Sequence, residues 1–167
     1  MKMSGSYLLS RHMRPAKLVY PTMTIEEIKA MRVNELAEVG AHLWLWVTNQ
    51  FLEEGFSVMR AWGFKYLAIV TWVKPSGLGN YFINRTEHIL FGYYRKCLFN
   101  KARYIPNVYH WPQAVEHSRK PADSYKLIES VSDDPRLELF ARPITPLFPK
   151  IEGWATFGNE VQSDVSL

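Results

Sequence analysis

Three apolar runs in this chain end in polar residues, and polar groups released at strand ends are where chemistry can be done. Leu43-Trp44-Leu45-Trp46-Val47 passes into Thr48-Asn49, Leu137-Glu138-Leu139-Phe140-Ala141 into Arg142-Pro143, and Trp154-Ala155-Thr156-Phe157 into Gly158-Asn159-Glu160. In open α/β sheets ligands bind beyond the carboxyl ends of the strands, so the groups placed there are candidate contacts. Arg142 also has a plainer reading, as a strand-closing cation paired with a surface carboxylate; such pairs are common and weak.

A second candidate is compositional. Between Arg95 and Lys120 the cations Arg95, Lys96, Lys101, Arg103, Arg119 and Lys120 are interleaved with Phe99, Tyr104, Tyr109 and Trp111. Bases stack on aromatic rings while cations hold phosphates, so the mixture suits single-stranded or extruded nucleotides. It suits equally a surface loop whose aromatics pack down on a core. His88, His110 and His117, with Glu116, do not follow a ligand spacing such as H-E-x-x-H, and no metal site is expected. Ser76-Gly77-Leu78-Gly79-Asn80 reads as a flexible loop without the G-x-G-x-x-G spacing of a dinucleotide turn. The single cysteine, Cys97, excludes an internal disulfide and reads as a buried or idle thiol.

The elements that must position these residues alternate in type. Thr24, with Glu27 three residues on, reads as a capping box opening a helix to about residue 38. A buried strand follows over Leu43–Val47, then a helix in which Leu52, Phe56, Met59 and Trp62 share a face as far as Gly63. Strands are expected over Tyr66–Pro75 and Glu87–Tyr94, a helix from Pro121 through Ile128, a buried parallel strand in the stretch Arg136–Pro143, closed by Arg142 and Pro143, and a last short strand between Gly153 and Val161. This is α/β grammar. Residues 1–19 read as an arm or loop and residues 162–167 as a frayed tail, leaving 20–161 as the domain.

The totals set outer bounds. A chain of 167 residues, 47% hydrophobic, is long enough for one domain with a real core and too apolar to be disordered. No apolar stretch reaches the roughly 20 residues of a membrane helix and the first residues lack a signal-peptide core, so an intracellular, cytoplasmic protein with no membrane partner is expected. Charge is uneven: residues 1–122 carry sixteen Lys and Arg against eight Glu, and residues 123–167 four against eight acids. That polarity permits a polyanionic partner on one side.

Four separated signatures stand in one order: Tyr20-Pro21-Thr22-Met23; Leu45-Trp46-Val47-Thr48-Asn49; His117-Ser118-Arg119-Lys120-Pro121; and Glu138-Leu139-Phe140-Ala141-Arg142 followed by Gly158-Asn159-Glu160. With Trp72-Val73-Lys74 and Glu87-His88 between them, the chain resembles the adenine-N6 methyltransferases of the MT-A family, named from the seventy-kilodalton mRNA methyltransferase subunit. The resemblance runs from Tyr20 to about Val161. It implies a Rossmann-like methyltransferase sheet in permuted order, S-adenosylmethionine as cofactor, and DNA or RNA as substrate. Carried over position by position, it implies cofactor contacts at Ser118, Lys120, Arg142, Asn159 and Glu160. Lys120 would pair with the cofactor carboxylate, and Arg142, Asn159 and Glu160 would bond its ribose hydroxyls. Tyr20 and Trp46 would frame the target adenine, since an extruded base needs an aromatic wall.

One part of the family pattern is missing. Members capable of transfer carry Asp-Pro-Pro-Trp at the end of a central strand upstream of the Tyr-Pro-Thr-Met segment; here 19 residues precede Tyr20, with no aspartate and no Pro-Pro pair. The expectation is a sheet lacking one N-terminal central strand, with no catalytic acid assigned and impaired or absent autonomous transfer. The alternative is a non-catalytic, nucleic-acid-binding subunit or pseudoenzyme working with a catalytic family partner subunit.

Overall fold

The computed structural model describes residues 22–99, 104–113, 120–143, 145 and 149–167. Tyr20 and Ser118 lie outside the described residues. The first helix, α1 (Ile25–Ala30), opens on the expected box: Thr24 Oγ1 accepts from the Glu27 amide at 3.2 Å, and the Glu27 carboxylate accepts from the Thr24 amide at 2.6 Å. It ends well short of residue 38, because Met31 turns extended and a 3-10 turn follows over Val33–Leu36. Ile28 and Val33 are both buried, and five residues apart they could not share one face of a continuous helix. Trp62 then donates its indole N–H to the Ile28 carbonyl at 2.9 Å, and that carbonyl also accepts from the Met31 amide at 3.2 Å.

Strand β1 (His42–Thr48) leads through a short turn into α2 (Leu52–Ala61), and the chain returns as a long hairpin of β2 (Phe64–Leu78) and β3 (Asn84–Tyr94). The loop expected at residues 76–80 is strand as far as Leu78, whose partner is Asn84. Glycine permits that closure: a Cβ on Gly79 would lie 1.8 Å from the Phe82 carbonyl oxygen, and one on Gly77 2.3 Å from that of Asn84. The sheet order is β1-β3-β2-β4, with β4 (Val108–Tyr109) parallel to β2 and the other pairs antiparallel. The sheet is mixed because a tip this short can join β2 to β3 only in antiparallel sense.

Helix α3 (Ala122–Val131) leads to β5 (Arg136–Leu139), which pairs in parallel with β6 (Trp154–Phe157) as a second sheet. Two cores result. Leu43, Leu45 and Val47 of β1 pack with α1, α2, Leu137 and Leu139; Trp44 and Trp46, on the opposite face, pack with Trp72, Ile89, Phe91 and α3. Polar groups inside are paired: Ser132 Oγ accepts from the Trp44 indole at 2.9 Å and lies 2.8 Å from His42 Nδ1, while His42 Nε2–H donates to the Leu98 carbonyl at 2.7 Å. Burial pushes the His42 imidazole down, consistent with that neutral arrangement.

Residues 162–167, read as a frayed tail, fold back instead. Asp164 accepts from the Thr156 amide at 2.7 Å and from Lys150 at 2.8 Å, and Val165 and Leu167 pack against the first core. Cys97, read as buried or idle, is exposed just beyond β3. Among the described residues no helix is long and apolar enough to cross a membrane.

Candidate functional site

Five elements meet at one cleft. The end of β1 supplies Leu45 to Thr48, α1 supplies Ile25 and Ile28, Lys120 stands two residues ahead of α3, and Phe140 follows β5 directly; α2 lines the floor with Glu54, Gly55 and Val58. The cleft holds about 610 Å³, its open mouth included. Its walls are mostly apolar, with a few polar groups that converge, which is the usual composition of a small-molecule site.

The electrostatic centre is Glu87, at the start of the β3 core. Its carboxylate accepts from Lys120 Nζ at 2.5 Å and from Lys74 Nζ at 3.2 Å, and the Lys120 side chain is only 8% exposed. Burial by itself would raise the Glu87 carboxyl, but the charges and hydrogen bonds of the two lysines outweigh it and hold the group below the usual range. Lys120 is pushed down by burial, with Glu87 opposing and the charges of Lys74 and Arg142 adding to the effect. The Lys120 ammonium also lies 4.7 Å from the centre of the Trp46 ring, and Trp46 stands edge-on to Trp72. An ammonium with three donors can hold Glu87 and a second acceptor together.

Two polar atoms of residues lining the cleft, Trp46 Nε1 and Thr48 Oγ1, are buried without a hydrogen-bond partner among the described residues. Buried donors of this kind are uncommon in folded proteins and mark places where something else binds. On the other face of β3, His88 Nε2–H donates to Asn49 Oδ1 at 2.9 Å and Nδ1 lies 3.1 Å from Thr71 Oγ1, while Asn49 Nδ2 donates to the Thr86 carbonyl at 2.9 Å. Burial pushes His88 down, with Glu87 opposing. This network ties the ends of β1, β2 and β3 and fixes the backbone that carries Glu87.

The remaining predicted residues sit at the ends of the second sheet. Leu139 pairs with Phe157, the Ala141 amide donates to the Phe157 carbonyl at 2.9 Å, and a Cβ on Gly158 would lie 2.9 Å from the Ala141 carbonyl oxygen. The two chain segments therefore leave β5 and β6 backbone against backbone, which brings Arg142, Asn159 and Glu160 to one exposed rim. Arg142 is close enough for its charge to act on Lys120. Trp46 lines the cleft as well, but 3% exposed and packed into the core.

Sequence reasoning left Glu87 and Lys74 without a role, and a signal for the first was present. Between Glu54 and Glu116, a span crowded with lysine and arginine, Glu87 is the only acid. The aromatics of the basic segment divide: Trp111 and Phe99 pack into the second core and Tyr109 stacks on Trp111 at 4.4 Å, whereas Tyr104 is fully exposed. Among the described residues no cluster of three metal-ligating side chains exists.

Comparison with known proteins bears directly on this geometry. The sequence profile of the MT-A70 family matches residues 7–160. The chain belongs to the MT-A70 family. Similar relatives include a probable N(6)-adenosine-methyltransferase MT-A70-like protein of Oryza sativa subsp. japonica, 32% identical over 155 residues, covering 87% of this chain and 21% of the relative. The N(6)-adenosine-methyltransferase MT-A70-like protein of Arabidopsis thaliana is 30% identical, over 87% of this chain and 22% of its own length. The human N(6)-adenosine-methyltransferase catalytic subunit METTL3 is 28% identical over 158 residues, 87% of this chain and 26% of its own length. The chain thus spans about a fifth to a quarter of these relatives. For the cofactor that MT-A70 membership implies, the donor set in the cleft fits: a buried ammonium in its wall and two side-chain polar atoms, Trp46 Nε1 and Thr48 Oγ1, without a partner among the described residues.

Proposed function

We propose that this MT-A70 chain binds S-adenosylmethionine in the cleft between β1 and β5 and acts in adenine-N6 methylation of DNA or RNA. The observation that carries this reading is the convergence of Lys120 and Trp46 on one cleft, with Arg142 near enough for its charge to act on Lys120. Lys120 would hold the cofactor carboxylate while still bonded to Glu87, and Asn159, Glu160 and Arg142 would hold the ribose hydroxyls. Bound there, the cofactor supplies an activated methyl group on a sulfonium. The indole of Trp46 offers a flat apolar wall for an extruded adenine, and Lys74 and Arg142 favour a polyanion at the mouth.

A second reading draws on a specific feature. Transfer to an exocyclic amine needs an acceptor for its hydrogens, placed to align nitrogen, methyl and sulfur. Glu87 is occupied by two lysines, so it is a poor candidate for that acceptor. This favours a chain that binds cofactor and nucleic acid and depends on a catalytic family partner for transfer.

Titration calorimetry of S-adenosylmethionine against the full chain and Arg142→Ala separates these readings from no function at the cleft. Binding weakened tenfold or more by the substitution is expected. A folded chain that shows no binding sinks the cofactor assignment. A methylation assay on adenine-containing DNA and RNA then divides the first reading from the second, which predicts binding without turnover.

A further inference from the structure

The hairpin of β2 and β3 outgrows the sheet it belongs to. Thr48, at the end of β1, faces Glu87, and Glu87 in turn faces Trp72; past that level β2 runs on from Val73 to Leu78, while β3 starts back from Asn84. At roughly 3.3 Å per residue, the paired arm reaches about 15–20 Å beyond the end of β1. Strands β1 and β2 are each antiparallel to β3 and so run the same way, which sends the arm out on the side where Thr48, Lys74 and Lys120 stand. The Lys74–Glu87 pair is its root. Across the arm, Arg85 Nε donates to the Lys74 carbonyl at 3.1 Å, which holds the guanidinium on its flank.

The tip of the arm is apolar and open to water. Leu78, Tyr81, Phe82 and Ile83 are 88%, 97%, 83% and 63% exposed. Single exposed apolar side chains are ordinary, but several together on one loop mark an interaction site. Close backbone approach at Gly77 and Gly79 sets the shape of the tip before anything binds, so little ordering is left to oppose association. Charge selects the partner. From Gly55 to Thr86 the chain carries Arg60, Lys65, Lys74 and Arg85 and no acid. A second copy of this chain would bring the same cations to the same place, whereas a polyanion with flat apolar groups meets both features.

We infer that the β2–β3 arm grips single-stranded nucleic acid beside the cleft, with bases stacked on Tyr81 and Phe82 and a phosphate held by Arg85. The inference rests on the proposed action on nucleic acid, and adds the element that holds the strand and the form in which the strand is held. Inside a duplex both faces of a base are covered by its neighbours, and exposed rings find nothing to stack on. An unpaired strand offers those faces. Every base has one, so stacking tolerates any sequence; the arm supplies affinity and placement, and the choice of base is left to the cleft.

The test is fluorescence anisotropy of a labelled single-stranded DNA of about 12 nucleotides, a length within the usual site sizes, against the full chain and two variants. The double variant Tyr81→Ala, Phe82→Ala is expected to bind about tenfold or more weakly. Arg85→Ala should lower the slope of log affinity against log salt by about 0.7, the share of one phosphate on a single strand. These positions are exposed, so the urea midpoint should hold, and the salt slope is read independently of it. On a duplex of the same length the double variant should bind like the parent. A parent that binds the single strand, with the double variant equal to it or the salt slope of Arg85→Ala unchanged, overturns the proposal and leaves the nucleic-acid reading standing. A parent that binds no nucleic acid at low salt sinks both. Equal losses on duplex and single strand overturn the preference for unpaired bases. Binding to anionic vesicles, or self-association by sedimentation, that the double variant loses while keeping its DNA affinity would assign the tip to a membrane or to a second copy instead.

Discussion

The charge cluster at the cleft and the ends of the second sheet solve different problems. On one side Lys74, Glu87 and Lys120 form a buried charge cluster whose members satisfy one another, braced by Trp46 and by the Asn49–His88–Thr71 network. On the other, Arg142, Asn159 and Glu160 are exposed at the ends of two paired strands. Buried ions must be held by the fold at all times, whereas exposed ones contribute little to stability. Substitutions on the first side should therefore be read out as stability, and on the second as affinity.

Glu87→Gln should have the largest effect. It leaves Lys120 as a buried, uncompensated cation, and breaking such a pair costs about 3–5 kcal/mol, visible as a lower urea midpoint. A variant that unfolds like the parent would mean the cluster is solvated and the contrast between the two sides is false. Next comes a paired measurement on two tryptophans. Trp72 donates to the Trp111 carbonyl at 2.9 Å, but Trp46 Nε1 has no partner among the described residues. Trp72→Phe should cost about 1 kcal/mol more than Trp46→Phe, the net worth of one buried hydrogen bond. Equal costs would show that the Trp46 donor is already satisfied.

On the exposed rim, Asn159→Ala should move stability by no more than about 0.5 kcal/mol, as surface changes generally do, while S-adenosylmethionine affinity falls severalfold by calorimetry. Loss of stability without loss of affinity would place Asn159 with the scaffold.

Acidification gives the smallest and most local effect. The hydrogen bonds from Lys150 and Thr156 hold the Asp164 carboxyl down to about 2. A depressed folded value means the tail contact is fully present above the ordinary aspartate range and lost as pH falls through about 2. Methyl resonances of Val165 and Leu167 should shift in that window and not near pH 4. In Asp164→Asn they should be insensitive to acid.

Legibility in the sequence followed the range of the interactions. The Thr24–Glu27 box, the helical stripe of α2, and the apolar β1 and β5 are written in neighbouring residues, and each formed close to where its pattern lies. The helix expected to reach residue 38 failed because burying both Ile28 and Val33 is a tertiary demand that a local period does not contain. The tail was misread for the same reason: Asp164 is an unremarkable acid until Lys150 and the Thr156 amide are placed around it.

The sequence by itself determined the family, the types of groups available for binding, and the strand ends that carry them, because ordered motifs and residue chemistry need no coordinates. Only the tertiary structure decided that Lys120 meets Glu87 across 33 residues, that Lys74 joins them, and that β1, buried on both faces, pairs with β3 alone among the described residues. Those facts depend on which distant segments share a core, and pairing through space between chemically ordinary residues leaves no local trace in one chain.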